Sequence, residues 1–120
     1  VSEKNLPEIF YNIETKCTPE GDNIFHPSPD VFSELLINVI KQKRITERVT
    51  VQSFDIRTLQ YIHKTYPELK LVLLIGEEIQ PEQTINNLGF IPFAYSPEYK
   101  LVNETLQSFC KEKNMKLIPW

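Results

Sequence analysis

The feature that most constrains this chain is a regular switching of its hydrophobic period between two and about 3.6 residues. Phe10 to Lys16 alternates apolar and polar side chains, as a half-buried strand does. Asp30 to Lys43 then repeats Val31, Phe32, Leu35, Leu36, Val39 and Ile40 at three- and four-residue spacing, the stripe of an amphipathic helix. Pro29 suits the first turn of that helix, and Ser28 or Asp30 can cap its amides. Arg48 to Phe54 is a β-branched strand. Asp55 stands at the N-cap of a helix reaching Tyr66, with Ile56, Leu59, Ile62 and Tyr66 inward, and Pro67 ends it. Leu69 to Ile75 is an almost unbroken apolar run, the mark of a strand buried on both faces of a parallel sheet. A short helix from Pro81 to Asn87 closes at Gly89, a strand covers Phe90 to Ala94, and a helix covers Asn103 to Lys113 with Leu106, Phe109 and Cys110 inward. Lys116 to Trp120 forms a last strand.

The order β-α-β-α-β-α-β-α-β implies parallel strands joined by helical crossovers. Two α/β architectures satisfy it: an open doubly wound sheet, or part of a (β/α)8 TIM barrel. A whole barrel takes about 250 residues, so 120 residues supply about half of one. Residues 1–120 form one unit, with no linker, repeat or low-complexity segment. The pattern alone favours the open sheet.

Composition narrows the function classes. The net charge is −3, which argues against nucleic acid and anionic membrane as partners. No apolar run approaches the roughly 20 residues needed to span a bilayer, so stable membrane insertion is not expected. Cys17 and Cys110 are too few and too distant to define a disulfide framework or zinc site, and the cellular compartment stays open. Three glycines cannot build a glycine-rich nucleotide loop.

The chemistry-bearing residues gather at strand ends. Asn12, Glu14 and Lys16 alternate with Ile13 and Thr15, so the polar three share one side while Ile13 and Thr15 face a covering helix. Ligands bind at the carboxyl ends of strands in barrels and in open α/β sheets. A carboxylate beside an ammonium suits a hard cation with a phosphate; an ordinary ion pair at a strand end is the alternative. Gln52, Ser53, Phe54 and Asp55 end the next strand at the same rim. Some of these can orient a ligand, while Asp55 is better read as a helix cap. The loop from Cys17 to Pro29 leaves this rim carrying His26, which is read chiefly as a loop residue. His63 falls mid-helix at the surface. Glu77 and Glu78 follow the third strand, and Tyr95 and Tyr99 lie beyond the fourth, where rings could wall a pocket or simply pack.

Three segments taken in order, Asn12 to Lys16 (NIETK), Val49 to Asp55 (VTVQSFD) with Leu59, and Lys116 to Trp120 (KLIPW), resemble the C-terminal half of the glycerophosphodiester phosphodiesterase family. The stretch from Phe25 to Gln60 is similar as well. The resemblance implies a phosphodiesterase TIM barrel with about five parallel strands and four helices in this half. It also implies a metal-dependent hydrolase that converts small glycerophosphodiesters to an alcohol and glycerol 3-phosphate. By residue it implies Glu14 as a ligand to a divalent cation (Mg or Ca) completed from outside this chain, and Lys16 as a phosphate contact. Trp120 would stand at the site wall, with Gln52 and Phe54 also on the substrate side. The family's H-R-G, E-x-D and H-D motifs are absent, so the catalytic histidines are missing here and this chain alone is expected to be inactive. Two rivals remain: a phospholipase C- or D-like lipid phosphodiesterase of the same barrel group, and a non-catalytic half-barrel that homodimerises or associates with a missing half.

Overall fold

The computed structural model describes residues 6–120. Five strands form one sheet: β1 (Tyr11–Glu14), β2 (Val49–Ser53), β3 (Lys70–Ile75), β4 (Ala94–Pro97) and β5 (Lys116–Leu117). They lie side by side in chain order, and every neighbouring pair is parallel. Four helices alternate with them: α1 (Pro29–Gln42), α2 (Ile56–Thr65), α3 (Pro81–Leu88) and α4 (Glu104–Glu112).

The strand order decides between the two architectures. Parallel crossovers are right-handed almost without exception. When each strand pairs with the next one along the chain, every crossover helix therefore falls on the same face. A doubly wound sheet instead reverses its strand order at a switch point and carries helices on both faces. The observed order 1-2-3-4-5 is that of an arc of a (β/α)8 barrel, with helices outside and one face turned inward.

The sheet's two faces differ accordingly. Val49, Val51, Leu71, Leu73, Ile75 and Tyr95 meet Ile37, Ile40, Leu59, Ile62, Ile85, Leu88, Leu106 and Cys110 in one core under the helices. A buried hydroxyl pair, Thr15 with Thr58 at 2.8 Å, fastens the end of β1 to α2, so Thr15 faces the covering helix as its alternation requires. The intervening residues, Asn12, Glu14, Thr50, Gln52, Val72, Leu74, Ala94 and Ser96, form the inner face. Val72 and Leu74 are buried there, so the apolar run of β3 is covered on both sides. Between helices, the Glu34 carboxylate accepts from the Tyr61 and Tyr66 hydroxyls at 2.7 and 2.8 Å and ties α1 to α2.

The main differences from the sequence reading concern three strands and one helix face. β1 stops at Glu14, although Thr15 N–H still donates to Gln52 O, and Lys16 lies just past the strand. β4 runs from Ala94 to Pro97 instead of Phe90 to Ala94. Pro92 has no N–H to give a ladder, and pairing starts only where Phe93 N–H reaches Leu71 O. β5 ends at Leu117, yet Ile118 and Trp120 continue donating to Tyr95 and Pro97 carbonyls, so the chain runs beside β4 to its last residue. In α1 the sheet-facing side chains are Ser33, Ile37 and Ile40. Phe32 and Leu36 are half-buried, while Val31, Leu35 and Val39 are exposed. The expected stripe exists, but it is centred on the flank away from α2. On that flank Leu36 packs against the edge of the core and the Phe32 ring lies 6.3 Å from that of His26, while Val31, Leu35 and Val39 stay open to solvent.

This difference is measurable. Ile37→Ala should cost about 2–5 kcal/mol, as for a large-to-small core change. Leu35→Ala should stay within about 0.5 kcal/mol in urea unfolding of the chain. Equal losses would contradict the assigned face.

Candidate functional site

The carboxyl ends of β1 and β2 bring four of the expected residues to one rim on the inner face. Glu14 ends β1 and stands in register with Gln52 of β2. Lys16 follows two residues later, and Phe54 follows Gln52 by two. Of the four residues that end β2, Gln52 and Phe54 face inward. Ser53 is fully buried the other way, donating from Oγ to Thr15 O at 2.6 Å. Glu14 and Lys16 are both exposed, and neither takes part in a salt bridge among the described residues. The ion-pair alternative is therefore not realised: both charges remain available to something else.

Below this rim a side-chain relay crosses from β2 to β1 and back. Thr50 Oγ1 donates to Asn12 Oδ1 at 2.8 Å, and Asn12 Nδ2 donates to Gln52 Oε1 at 2.8 Å. Above it, the half-exposed rings of Phe54 and Trp120 meet edge to face, with centroids 5.8 Å apart. Gly76, at the end of β3, lies under both: a Cβ there would sit 3.5 Å from the Phe54 ring and 3.8 Å from the Trp120 ring. The inner rim thus has a charged side on β1 and an aromatic side formed by Phe54 and Trp120. Such a surface can take an anionic group on the first and apolar atoms on the second.

The loop between β1 and α1 is held by a residue that sequence reasoning passed over. Arg57, in the first turn of α2, donates to Asp22 through Nη1 and Nη2 at 2.6 and 3.1 Å. It also donates to Asp55 through Nε at 3.0 and 3.1 Å and through Nη2 at 2.7 Å. Asp55 caps α2 as expected, accepting from Arg57 N–H at 2.9 Å. Burial pushes the Asp55 carboxyl up, but the hydrogen bonds from the Arg57 side chain and backbone outweigh it and hold it below the ordinary value. The hydrogen bonds from Arg57 likewise lower Asp22. Cys17, buried beside this group with Sγ 3.5 Å from Asp55 Oδ2, is pushed up to about 11, by burial first and then by the neighbouring charge. Its thiol therefore stays protonated at neutral pH and is a poor nucleophile. An Asp-x-Arg spacing at a helix start was the one available signal. Asp22 lies 35 residues away in sequence and gave none.

The other candidates resolve as packing or surface. His26 accepts from Thr18 N–H at Nε2 (2.9 Å), and its Nδ1 lies 2.8 Å from Pro27 O, so both ring nitrogens are engaged in holding the loop. Gly21 sits against this ring, where a Cβ would come within 2.5 Å of Nε2. His63 is exposed and stacks on Phe90 at 3.8 Å. Tyr95 belongs to β4 and points to the helix side, where it is 2% exposed, because the strand starts four residues later than expected. It floors a cleft of about 430 Å³ between the starts of α3 and α4, which Glu77 and Glu78 also line, away from the inner rim. Tyr99 is exposed in a 3-10 turn.

The described residues contain no group of three or more His, Cys, Asp or Glu side chains placed to share a cation. A hard divalent ion wants six or more oxygens, and the inner rim offers one carboxylate, Glu14. These residues do not make a metal centre by themselves.

No known family profile matches the chain. The glycerophosphodiester phosphodiesterase of Caldanaerobacter subterraneus subsp. tengcongensis is 29% identical over 114 residues, which cover 94% of this chain and 43% of that protein. In sequence and in fold, this chain is similar to the glycerophosphodiester phosphodiesterases. A solved structure from Galdieria sulphuraria, provisionally named a glycerophosphodiester phosphodiesterase, superimposes with a TM-score of 0.77 at 16% identity. It matches 99% of this chain and 46% of its own. The glycerophosphodiester phosphodiesterase of Parabacteroides distasonis gives 0.64 at 18% identity, over 92% of this chain and 43% of its own. The chain thus spans less than half the length of each of these relatives, and its fold is that of a partial barrel.

The Arg57 clamp predicts a pH dependence. Asp22 and Asp55 have folded values below the unfolded 3.8, so their contribution is fully present above that pH and is lost as pH falls through the folded values. Urea unfolding between pH 5 and 2.5 should show stability falling more steeply below pH 3.8 in the native chain than in Arg57→Leu. The difference should be about one to two protons in slope. Parallel curves would remove the clamp from the account.

Proposed function

We propose that this chain is the C-terminal portion of a metal-dependent glycerophosphodiester phosphodiesterase, hydrolysing small glycerophosphodiesters to an alcohol and glycerol 3-phosphate. The observation that carries the reading is the placement of Glu14 and Lys16, neither of them in a salt bridge among the described residues, at the carboxyl end of β1 on the inner face of a barrel arc. Lys16 supplies a positive point charge to a phosphoryl oxygen, and binding that strengthens as charge develops there lowers the barrier. Glu14 supplies one oxygen to a Mg or Ca ion whose remaining ligands come from outside this chain; when bound, such an ion neutralises phosphoryl charge. Phe54 and Trp120 exclude water from one side and receive the apolar carbons of the substrate, and Gln52 faces the phosphate. Neither histidine stands on this rim, His26 holding the loop and His63 stacking on Phe90, so the groups that exchange protons with the attacking and leaving oxygens are assigned to the part outside this chain. The open edges of β1 and β5, with the exposed flank of α1, are where further β/α units would add, from the same polypeptide or from an associated one.

The purified chain, given Mg or Ca and glycerophosphocholine, should show no turnover. Joined to the part of the Caldanaerobacter relative that lies outside the matched region, it should acquire turnover. In that chimera Glu14→Gln and Lys16→Met should each reduce kcat/KM by about a hundredfold or more. Undiminished rates in both variants, or turnover by the chain alone, would refute the assignment of roles.

A further inference from the structure

The relay beneath the rim has a direction, and the direction has a chemical outcome. Thr50 spends its one hydroxyl proton on Asn12 Oδ1. That turns the Asn12 amide so that Nδ2 faces β2, where it donates to Gln52 Oε1. Gln52 is thereby held with its carbonyl oxygen toward Asn12 and its Nε2 turned away. Nε2 has no protein partner among the described residues, and no buried side-chain nitrogen or oxygen among them lacks one, so Nε2 is open to solvent. Gln52 stands one strand from Glu14 and in register with it, and strands are spaced by about 4.8 Å. Its other neighbour in the same layer is Val72 of β3, an apolar side chain that offers no acceptor.

We infer that Thr50 and Asn12 are positioning residues that aim the two N–H donors of Gln52 at a bound oxyanion beside Lys16. The inference deepens the phosphodiesterase reading and rests on it for the identity of the anion, a phosphate group. The alternation of β1 and β2 explains why the relay can exist: Asn12 and Thr50 are paired across the ladder, one layer below Glu14 and Gln52. An amide whose orientation is fixed in advance loses less freedom on binding than one that must be ordered by the ligand. A phosphate oxygen accepting from Gln52 and from Lys16 would be gripped from adjacent strands.

Two changes of nearly equal volume separate direction from mere polarity. Gln52→Glu keeps an oxygen for Asn12 but replaces the outward N–H₂ by a second oxygen. Asn12→Asp still accepts from Thr50 but no longer donates, so Gln52 must turn end for end and present Oε1 to the site. The chain would be titrated with inorganic phosphate and followed by ¹H–¹⁵N spectra, in which the backbone signals report the fold of each variant. The Gln52 side-chain amide signals should move with phosphate in the native chain. Both variants should raise the Kd for phosphate about tenfold. In a Gln52→Ala background, Asn12→Asp should change the Kd by less than about twofold, because its effect travels through Gln52. An equal loss in that background would show a through-space charge effect and overturn the proposal. Phosphate shifts near Lys16 that leave the Gln52 amide unmoved would overturn it while sparing the phosphodiesterase reading; the absence of any shift would overturn it too. A chimera without turnover, alongside the predicted phosphate results, would instead sink the phosphodiesterase reading and leave the relay standing.

Discussion

A parallel ladder laid down in chain order leaves every strand with two unlike faces, and the rest of this molecule follows from that. With all crossover helices on one side, odd-numbered residues of β1, β2 and β3 meet the helices and even-numbered residues meet the barrel interior. The helix side carries the main core. The inner side is apolar in the middle, at Val72, Leu74 and Ala94, and polar toward β1. It gathers charge at the carboxyl end, where Glu14 and Lys16 stand. Parallel strands point all their carboxyl ends one way, so residues far apart in sequence arrive at one rim.

The local elements were legible because each has its own period and punctuation. Pro29, Asp55, Pro81 and Gly89 mark helix ends by removing a donor, capping amides or tolerating a positive φ, and each stands where expected, whereas Asn103, read as the first residue of its helix, is instead the cap. Periodicity and chain length alone favoured the open sheet, wrongly, because strand order is a property of long-range pairing that they do not record. The family resemblance reversed that choice. Periodicity also failed on α1. A helix that packs on a sheet and also carries an apolar flank has two apolar sectors, and the stripe of largest residues lay on the flank instead of the sheet side. The start of β4 was misplaced because hydrophobicity at Phe90 to Phe93 does not reveal that Pro92 withholds a ladder hydrogen bond.

The rim was partly legible for a related reason. Alternation alone placed Asn12, Glu14 and Lys16 on one side, and the structure assigns Gln52 and Phe54 to that side by excluding Ser53. The Arg57 clamp was not legible, because Asp22 meets it only after the loop has folded back onto α2. That clamp keeps a segment with three prolines closed over the end of the core, with Cys17 beneath it. The proposed binding residues follow from local alternation, whereas the clamp on the adjoining loop depends on a contact 35 residues apart in sequence.

Sequential pairing also governs how such a chain can assemble. Each strand waits only for the unit that follows it, so no loop must close across the whole domain before contacts are made, and the entropy of ordering is met one β/α step at a time. Growth by addition at an edge disturbs no ladder already formed. A polypeptide built this way can be divided between units without unpicking either part. The seam such a division leaves is a bare strand edge beside an apolar helix flank, a surface that recruits its complement or, failing that, its own kind.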